Sequence, residues 1–405
     1  MTATQRNFPD FLEAFVEYAS IGEAPKHVLY WVGVATIAGA LRRKVWLDQV
    51  FFQWVPNFYI VVVAEPGIVA KSTTANIGFD LLAEVEGIHF GPDITSWQAL
   101  IQEMASVGEF YDYNGTQTPM HAITCAIDEF GTFLDPTNRE QVDSLNRLYD
   151  GKSSKRAFRK ITKTQGSETM HGPWVNYFAC TTPSWLASNF PESFLGSGYL
   201  SRNIFLWAEG KRQHVPYLSE QVRKNPQHAM MGHRLVGDLK KMAELVGPFT
   251  LTPDAVEWGD AWYRAHWGKY AAGGRELQGY PARKQTHLHK LAMVISAARG
   301  EFPTLNAKHL ADAAAALTAI EPGIDRVLGA VGAQGVPKAA GELVEAIRAA
   351  GGSLLRRDAY RNLFYRRLTN RDYDEAIRSA MSTGLMRVDS SPEGAVLKLT
   401  NGGKK

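Results

Sequence analysis

The sequence predicts an α/β protein, and three observations predict it. Apolar, β-branched runs at Phe58–Ala64, His121–Ile127 and Trp174–Cys180 have the pattern of strands covered on both faces, as in a parallel sheet. Helical patterns lie between those runs. Beyond Pro253 the pattern is helical alone as far as Ala330, and a segment of different order follows. The expected regions are N-terminal helices over 1–56, an α/β core over 57–250, a helical lid over 251–330 and a C-terminal domain over 338–405. A length of 405 residues is enough for several cores.

The first region reads as two helices, Phe8 to Ala19 and Pro25 to Arg43. The second is apolar nearly all round (Val28, Leu29, Trp31, Val32, Val34, Ile37, Leu41), so it is expected to be buried. No functional reading attaches to the stretch before Trp46. The ten tryptophans read as core, and His287 and His289 as helix surface rather than metal ligands.

The strand Phe58–Ala64 runs into Glu65-Pro-Gly-Ile-Val-Ala-Lys71-Ser72-Thr73, and a helix is expected from Lys71 to about Glu86. A strand, a tight loop, Lys-Ser and a helix form the context of a phosphate-binding loop. Such a loop needs inward amides, a lysine on the β- and γ-phosphates and a hydroxyl on Mg²⁺. Lys71 and Ser72 suit the last two roles, with Gly67, Ala70 and Thr73 around them. The loop departs from G-x-x-x-x-G-K-[ST], because Glu65 and Ala70 stand at the two glycine positions. Ala70 is expected to strain the turn.

The second strand ends in Asp128-Glu129. Paired carboxylates there suit Mg²⁺ binding through water by Asp128 and polarisation of an attacking water by Glu129. The third strand ends in Ala179-Cys-Thr181-Thr182-Pro183. Thr182, with Thr181 beside it, is expected near the γ-phosphate or the water. ATP and Mg²⁺ are therefore the expected ligands.

Between those two strands lie Lys152, Lys155, Arg156, Arg159, Lys160 and Lys163, six positive charges with no acid among them. Loose alternation over Arg156–Thr162, a turn at Thr164–Gly166 and a return over Thr169–Trp174 read as a β-hairpin. Phosphate contacts need Lys and Arg and little else, so DNA is the expected partner, with Phe158 able to stack on a base.

After a linker at Gly329–Pro337, the C-terminal segment reads as helices Ala339–Ala350, Arg357–Phe364 and Asn370–Thr383. Strands Leu385–Asp389 and Ala395–Leu399 then flank a turn. Three helices and a hairpin is the winged-helix order, whose third helix commonly enters the major groove. Arg371 and Arg378 lie on that helix. The segment holds 13 Lys and Arg against 8 Asp and Glu. The whole chain carries only +3, so the basic charge is local and the remainder is slightly acidic.

This order of residues resembles the replicative helicases of the minichromosome maintenance group, AAA+ ATPases, and related phage and mobile-element ATPases. Gly198-Tyr-Leu-Ser201-Arg202-Asn-Ile-Phe205 is similar to their Leu-Ser-Arg-Phe motif. There the arginine is a finger that reaches into the neighbouring subunit's nucleotide site. Ala282-Arg283-Lys-Gln-Thr-His-Leu-His-Lys290-Leu-Ala-Met is similar to the helix carrying the sensor-2 arginine. The resemblance implies an ATPase core with a helical lid and a winged helix. It also implies a hexameric ring, DNA translocation or unwinding, and service to replication of a phage or mobile element. A separate primase or initiator as partner is expected too, because the zinc-bearing N-terminal domain of the group has no counterpart. Asn203 stands where the group has Phe. A guanidinium binds phosphate oxygens in a fork and is always charged, which suits Arg202 and Arg283 to these roles. A helicase loader or packaging ATPase, and a nucleotide-binding DNA switch protein without turnover, are the alternative expectations.

Composition excludes other classes. Hydrophobic residues make up 45% and charged residues 21%, the profile of a globular chain. Two cysteines, Cys125 and Cys180, are too few for a zinc site of their own and read as buried thiols of a reducing compartment. No apolar run spans a membrane, and Met1–Asp10 lacks the order of a signal peptide, so a cytoplasmic location is expected.

Overall fold

The structure, a computed structural model, describes residues 6–92, 96–151, 157–162, 166–190, 194, 198–271, 279–330, 336–364, 369–382 and 384–400. It holds two compact units. One comprises Met1–Leu186 and Phe194–Leu328, the other Gly329–Lys405 with the short stretch Ala187–Ser193.

The first unit is mixed α/β and is built on a five-stranded sheet. Its spatial order is Gly108–Tyr113, Thr116–Ile127, Pro173–Thr181, Tyr59–Val63, Asn203–Trp207. The last four strands are mutually parallel. Every residue of Tyr59–Val63 and of Pro173–Thr181 is buried, which is why those strands read as unbroken apolar runs. The edge strand Gly108–Tyr113 joins antiparallel through Asn114-Gly115, both at positive φ (53° and 76°), as tight hairpin turns require.

The helix Lys26–Leu41 is buried along most of its length, as its all-round apolarity predicts. It packs on the sheet, where Asn176 Nδ2 donates to the Ala35 carbonyl (3.0 Å). The helix Lys71–Ala83 crosses it closely at Gly78. A Cβ there would lie 2.7 Å from Val32 Cγ1 and would meet Thr36 Oγ1 as well. Residues beyond Pro253 form the helices Pro253–Ala271, Tyr280–Ala298 and Ala307–Ala330. That region is not wholly helical. Thr304–Leu305 pairs with Gly247–Leu251 in a small second sheet, continued by Val45–Asp48 and Gln53–Trp54.

The second unit runs helix Val336–Ala349, strand Ser353–Leu355, helical turns Arg356–Ala359 and Tyr360–Phe364, and helix Asn370–Ser382. Strands Met386–Ser391 and Gly394–Leu399 follow. The three strands form an antiparallel sheet with Gly394–Leu399 in the middle. Leu343, Ile347, Phe364, Tyr373, Ala376 and Leu397 make its core. Among the described residues, no helix is long and apolar enough to cross a membrane.

Candidate functional site

Three adjacent parallel strands end at one pocket. After Val63 comes the loop to Lys71, after Ile127 come Asp128 and Glu129, and after Thr181 comes Thr182. Ligand sites in open parallel sheets lie outside such carboxyl ends. The cavity is about 500 Å³ and is lined by Gly67, Lys71, Ser72, Asp128, Glu129 and Thr182, among others, with Trp185 on its wall. That volume falls in the usual range for small-molecule sites.

The loop is shaped by one left-handed residue, Gly67, at φ +74°. Ala70 sits at φ −73°, ψ 70°, the centre of an inverse γ-turn closed by the Lys71 amide on the Val69 carbonyl (2.8 Å), so the turn does not demand the positive φ that would strain an alanine. Ala70 is also the N-cap of the helix Lys71–Ala83 and has no side-chain oxygen to cap it. The first-turn amides therefore face the pocket without a side-chain acceptor, as an anion requires. The Lys71 ammonium donates to the Ala64 carbonyl (2.6 Å). Burial lowers its pKa, against the pull of Cys180 and Glu65. A phosphate beside the ammonium would favour its charged form and offset that lowering.

Asp128 and Glu129 are exposed at the pocket mouth, and Glu129 begins the short helix Phe130–Phe133. Thr182 Oγ1 accepts from the Trp185 amide (3.1 Å) and lies 3.0 Å from Ser184 Oγ. It caps the helix that places Trp185. Cys125 and Cys180 are free and buried, and burial pushes both thiols up to about 12.

Arg202 and Arg283 are not at this pocket. Arg202 immediately precedes the strand Asn203–Trp207, whose register sets Asn203 beside Tyr59 and Trp207 beside Val63. It therefore lies at the opening edge of the parallel strands, while the Lys71 loop lies at the closing edge. Five residues of strand separate the two edges by about 16 Å. Arg202 is only 7% exposed. Its Nε and Nη2 donate to both carboxylate oxygens of Asp150 (3.1 and 2.7 Å), and Nη1 donates to the Gly198 carbonyl (2.5 Å). Arg283 Nη1 shares Oδ1 of the same carboxylate (3.2 Å).

On the helix Tyr280–Ala298 both lysines are buried. Lys284 pairs with Glu321 (2.5 Å), and Lys290, 2% exposed, donates to Asn57 Oδ1 (2.6 Å) over the face of Tyr149 (3.6 Å). Burial holds the Lys290 ammonium well below its usual pKa. His287 and His289 are buried too, where the sequence reading has them on the surface. His287 bridges the Tyr149 hydroxyl and the Ser201 carbonyl (3.0 Å each), and burial lowers its pKa to about 3. No cluster of metal-ligating side chains occurs among the described residues. Asn203 is buried because Tyr177 and Tyr199 surround it. The Tyr177 hydroxyl donates to its Oδ1, and its Nδ2 donates to the Tyr199 carbonyl (2.8 Å).

Of the basic residues, Lys152, Lys155, Arg156 and Lys163 lie outside the described residues. The hairpin itself is Phe158–Thr162 paired with Gly166–Met170, slightly offset from the expected bounds. Arg159 is exposed on it. Lys160 is not: it is 11% exposed, 2.9 Å from Glu140 and 5.4 Å above the Trp97 ring. Arg371 and Arg378 are exposed on the helix Asn370–Ser382, on the side away from Tyr373, Ala376 and Ala380.

Asp150 and Tyr149 are the residues that sequence reasoning misses. They end a helix, Arg139–Asp150, and their partners stand far along the chain, so no local pattern marks them. Searches against family models and against curated proteins find no match to the chain.

Proposed function

We propose that the chain is a P-loop ATPase of the AAA+ kind that works on DNA as a ring of subunits, a translocase or helicase. The observation that carries the reading is the pocket at three neighbouring strand ends, where an uncapped helix start, Lys71, Ser72, Asp128, Glu129 and Thr182 converge. In this reading the first-turn amides of Ser72 and Thr73 and the Lys71 ammonium bind the phosphates of ATP. The Ser72 hydroxyl, and the Asp128 carboxylate through water, would hold Mg²⁺, which would supply positive charge against the phosphate oxygens. The Glu129 carboxylate accepts a hydrogen bond from the attacking water, and Thr182 orients it.

The sheet order supports the same reading. The strand before the phosphate loop lies between the strand ending at Thr182 and the strand opened by Arg202. Arg202 and Arg283 thus belong to an edge that a second subunit's nucleotide can meet, while their own lies on the other side. Arginines supplied in trans make hydrolysis depend on assembly. Arg202 and Arg283 share the carboxylate of Asp150, a positive surplus suited to phosphate oxygens. Exposed Arg159 on the hairpin supports DNA contact, as do Arg371 and Arg378 on a C-terminal unit of winged-helix order. Service to replication of a phage or mobile element rests on the resemblance. A switch without turnover draws its support from a loop that departs from the phosphate-loop pattern at Glu65 and Ala70, and the paired carboxylates Asp128 and Glu129 speak against it.

The test is Glu129→Gln. The variant is expected to bind Mg-ATP as the wild type does and to lose at least 100-fold in hydrolysis, because an amide cannot act as the base, a contribution of roughly 10²-fold or more. Unchanged turnover would remove Glu129 from the mechanism.

A further inference from the structure

The helix Arg139–Asp150 touches both functional regions of the first unit. In its first turn Glu140 holds Lys160, a residue of the basic hairpin, at 2.9 Å. At its last residue Asp150 holds Arg202 through both carboxylate oxygens and Arg283 through one. At 1.5 Å per residue these ends are about 15 Å apart. Rigid secondary elements are among the structures that carry coupling between distant sites.

The two ends differ in a way that gives the connection a direction. Lys160 is wedged between Glu140 and Trp97, so it ties the hairpin to the helix and leaves Arg159 to face outward. Asp150 is about one third exposed and, among the described residues, is the carboxylate that the two guanidiniums share. Its fork-to-fork contact with Arg202 is the geometry in which a guanidinium also binds phosphate. Arg202 thereby spends three of its five N–H donors, and the Nε–Nη2 edge that would fork a phosphate is held by Asp150.

We propose that the helix Arg139–Asp150 links the basic hairpin to the two arginines, with Asp150 as the positioning residue that sets whether Arg202 and Arg283 face a neighbouring subunit's phosphate. A polyanion gripped by the hairpin moves the helix through the Lys160–Glu140 joint, and the Asp150 end follows. The inference rests on the ATPase reading for what the arginines do, but the link itself is a property of this chain alone.

The experiment therefore reads the link without hydrolysis first. The ¹⁵N resonance of Arg202 Nε, assigned by its loss in Arg202→Lys, is followed in the full chain as single-stranded DNA is added. It is expected to shift on DNA addition, to shift in Asp150→Asn without DNA, and to stop responding to DNA in Glu140→Gln. Glu140 is at the exposed joint, so this variant keeps the fold should Asp150→Asn fail to do so. An Arg202 signal that ignores DNA in the wild type, or still responds in Glu140→Gln, overturns the link. Hydrolysis with and without DNA is then measured on the same proteins. DNA stimulation is expected to fall toward onefold in Asp150→Asn and Glu140→Gln and to return in part in Asp150→Glu. Stimulation at the wild-type ratio in both neutral variants overturns the proposal. A shifting resonance with no hydrolysis in any protein retires the ATPase reading and leaves the link standing.

Discussion

Burial decides the chemistry of single residues here more than their identity does. Two lysines show the range. Lys71 is half-buried at a pocket mouth, where burial lowers its pKa and a phosphate would favour its charged form. Lys290 is enclosed by Asn57 and Tyr149, where its ammonium serves the fold. His287 is the clearest case for measurement. Burial lowers its pKa from 6.5 to about 3, so the folded chain holds it neutral while the unfolded chain protonates it below 6.5. The unfolded state then binds more protons, and stability falls as pH drops between about 6.5 and about 3. The loss approaches about 1.4 kcal/mol per pH unit. Urea unfolding at pH 6.5, 5.5 and 4.5 checks this. His287→Gln is expected to be less stable at pH 6.5, having lost a fitted partner of Tyr149 and Ser201, yet to show a shallower pH slope by about that amount. An equal slope in variant and wild type would mean that another group titrates.

At the scale of elements, the hairpin separates two lysine-like charges that the sequence treats alike. Arg159 is exposed, and Lys160 is a strut to Glu140. Arg159→Ala is expected to lower the slope of log affinity against log salt by about 0.7 on single-stranded DNA, the contribution of one phosphate contact. Lys160→Ala is expected to leave the slope unchanged. Equal slopes for Arg159→Ala and wild type would take the hairpin away from the DNA. This difference was beyond sequence reading because Glu140 and Trp97 come to Lys160 only through tertiary packing. The central strands were legible for the opposite reason: buried on both faces, they need no partner to look like strands. The edge strand Gly108–Tyr113 alternates half-buried and exposed residues and reads as nothing in particular, although Asn114-Gly115 is a turn signal. The pocket residues were legible because each follows a strand end, whereas the side on which Arg202 lies follows only from strand register.

For the whole molecule, the account rests on an arrangement with two ends. One edge of the sheet gathers the Lys71 loop and carboxylates, and the other gathers two arginines on a shared acid. The two ends lie about 16 Å apart along the strands, so in the proposed reading a complete site would take its arginines from a neighbouring subunit. Everything in that account presupposes that the pocket takes nucleotide. Calorimetric titration of Mg-ATP into the full chain, in wild type and Lys71→Ala, measures this directly. The account predicts one site per chain in the wild type and affinity at least tenfold weaker in Lys71→Ala, since a charge-assisted contact to phosphate is worth about 1.5–3 kcal/mol. No heat of binding in the wild type, or the same affinity in the variant, would contradict it.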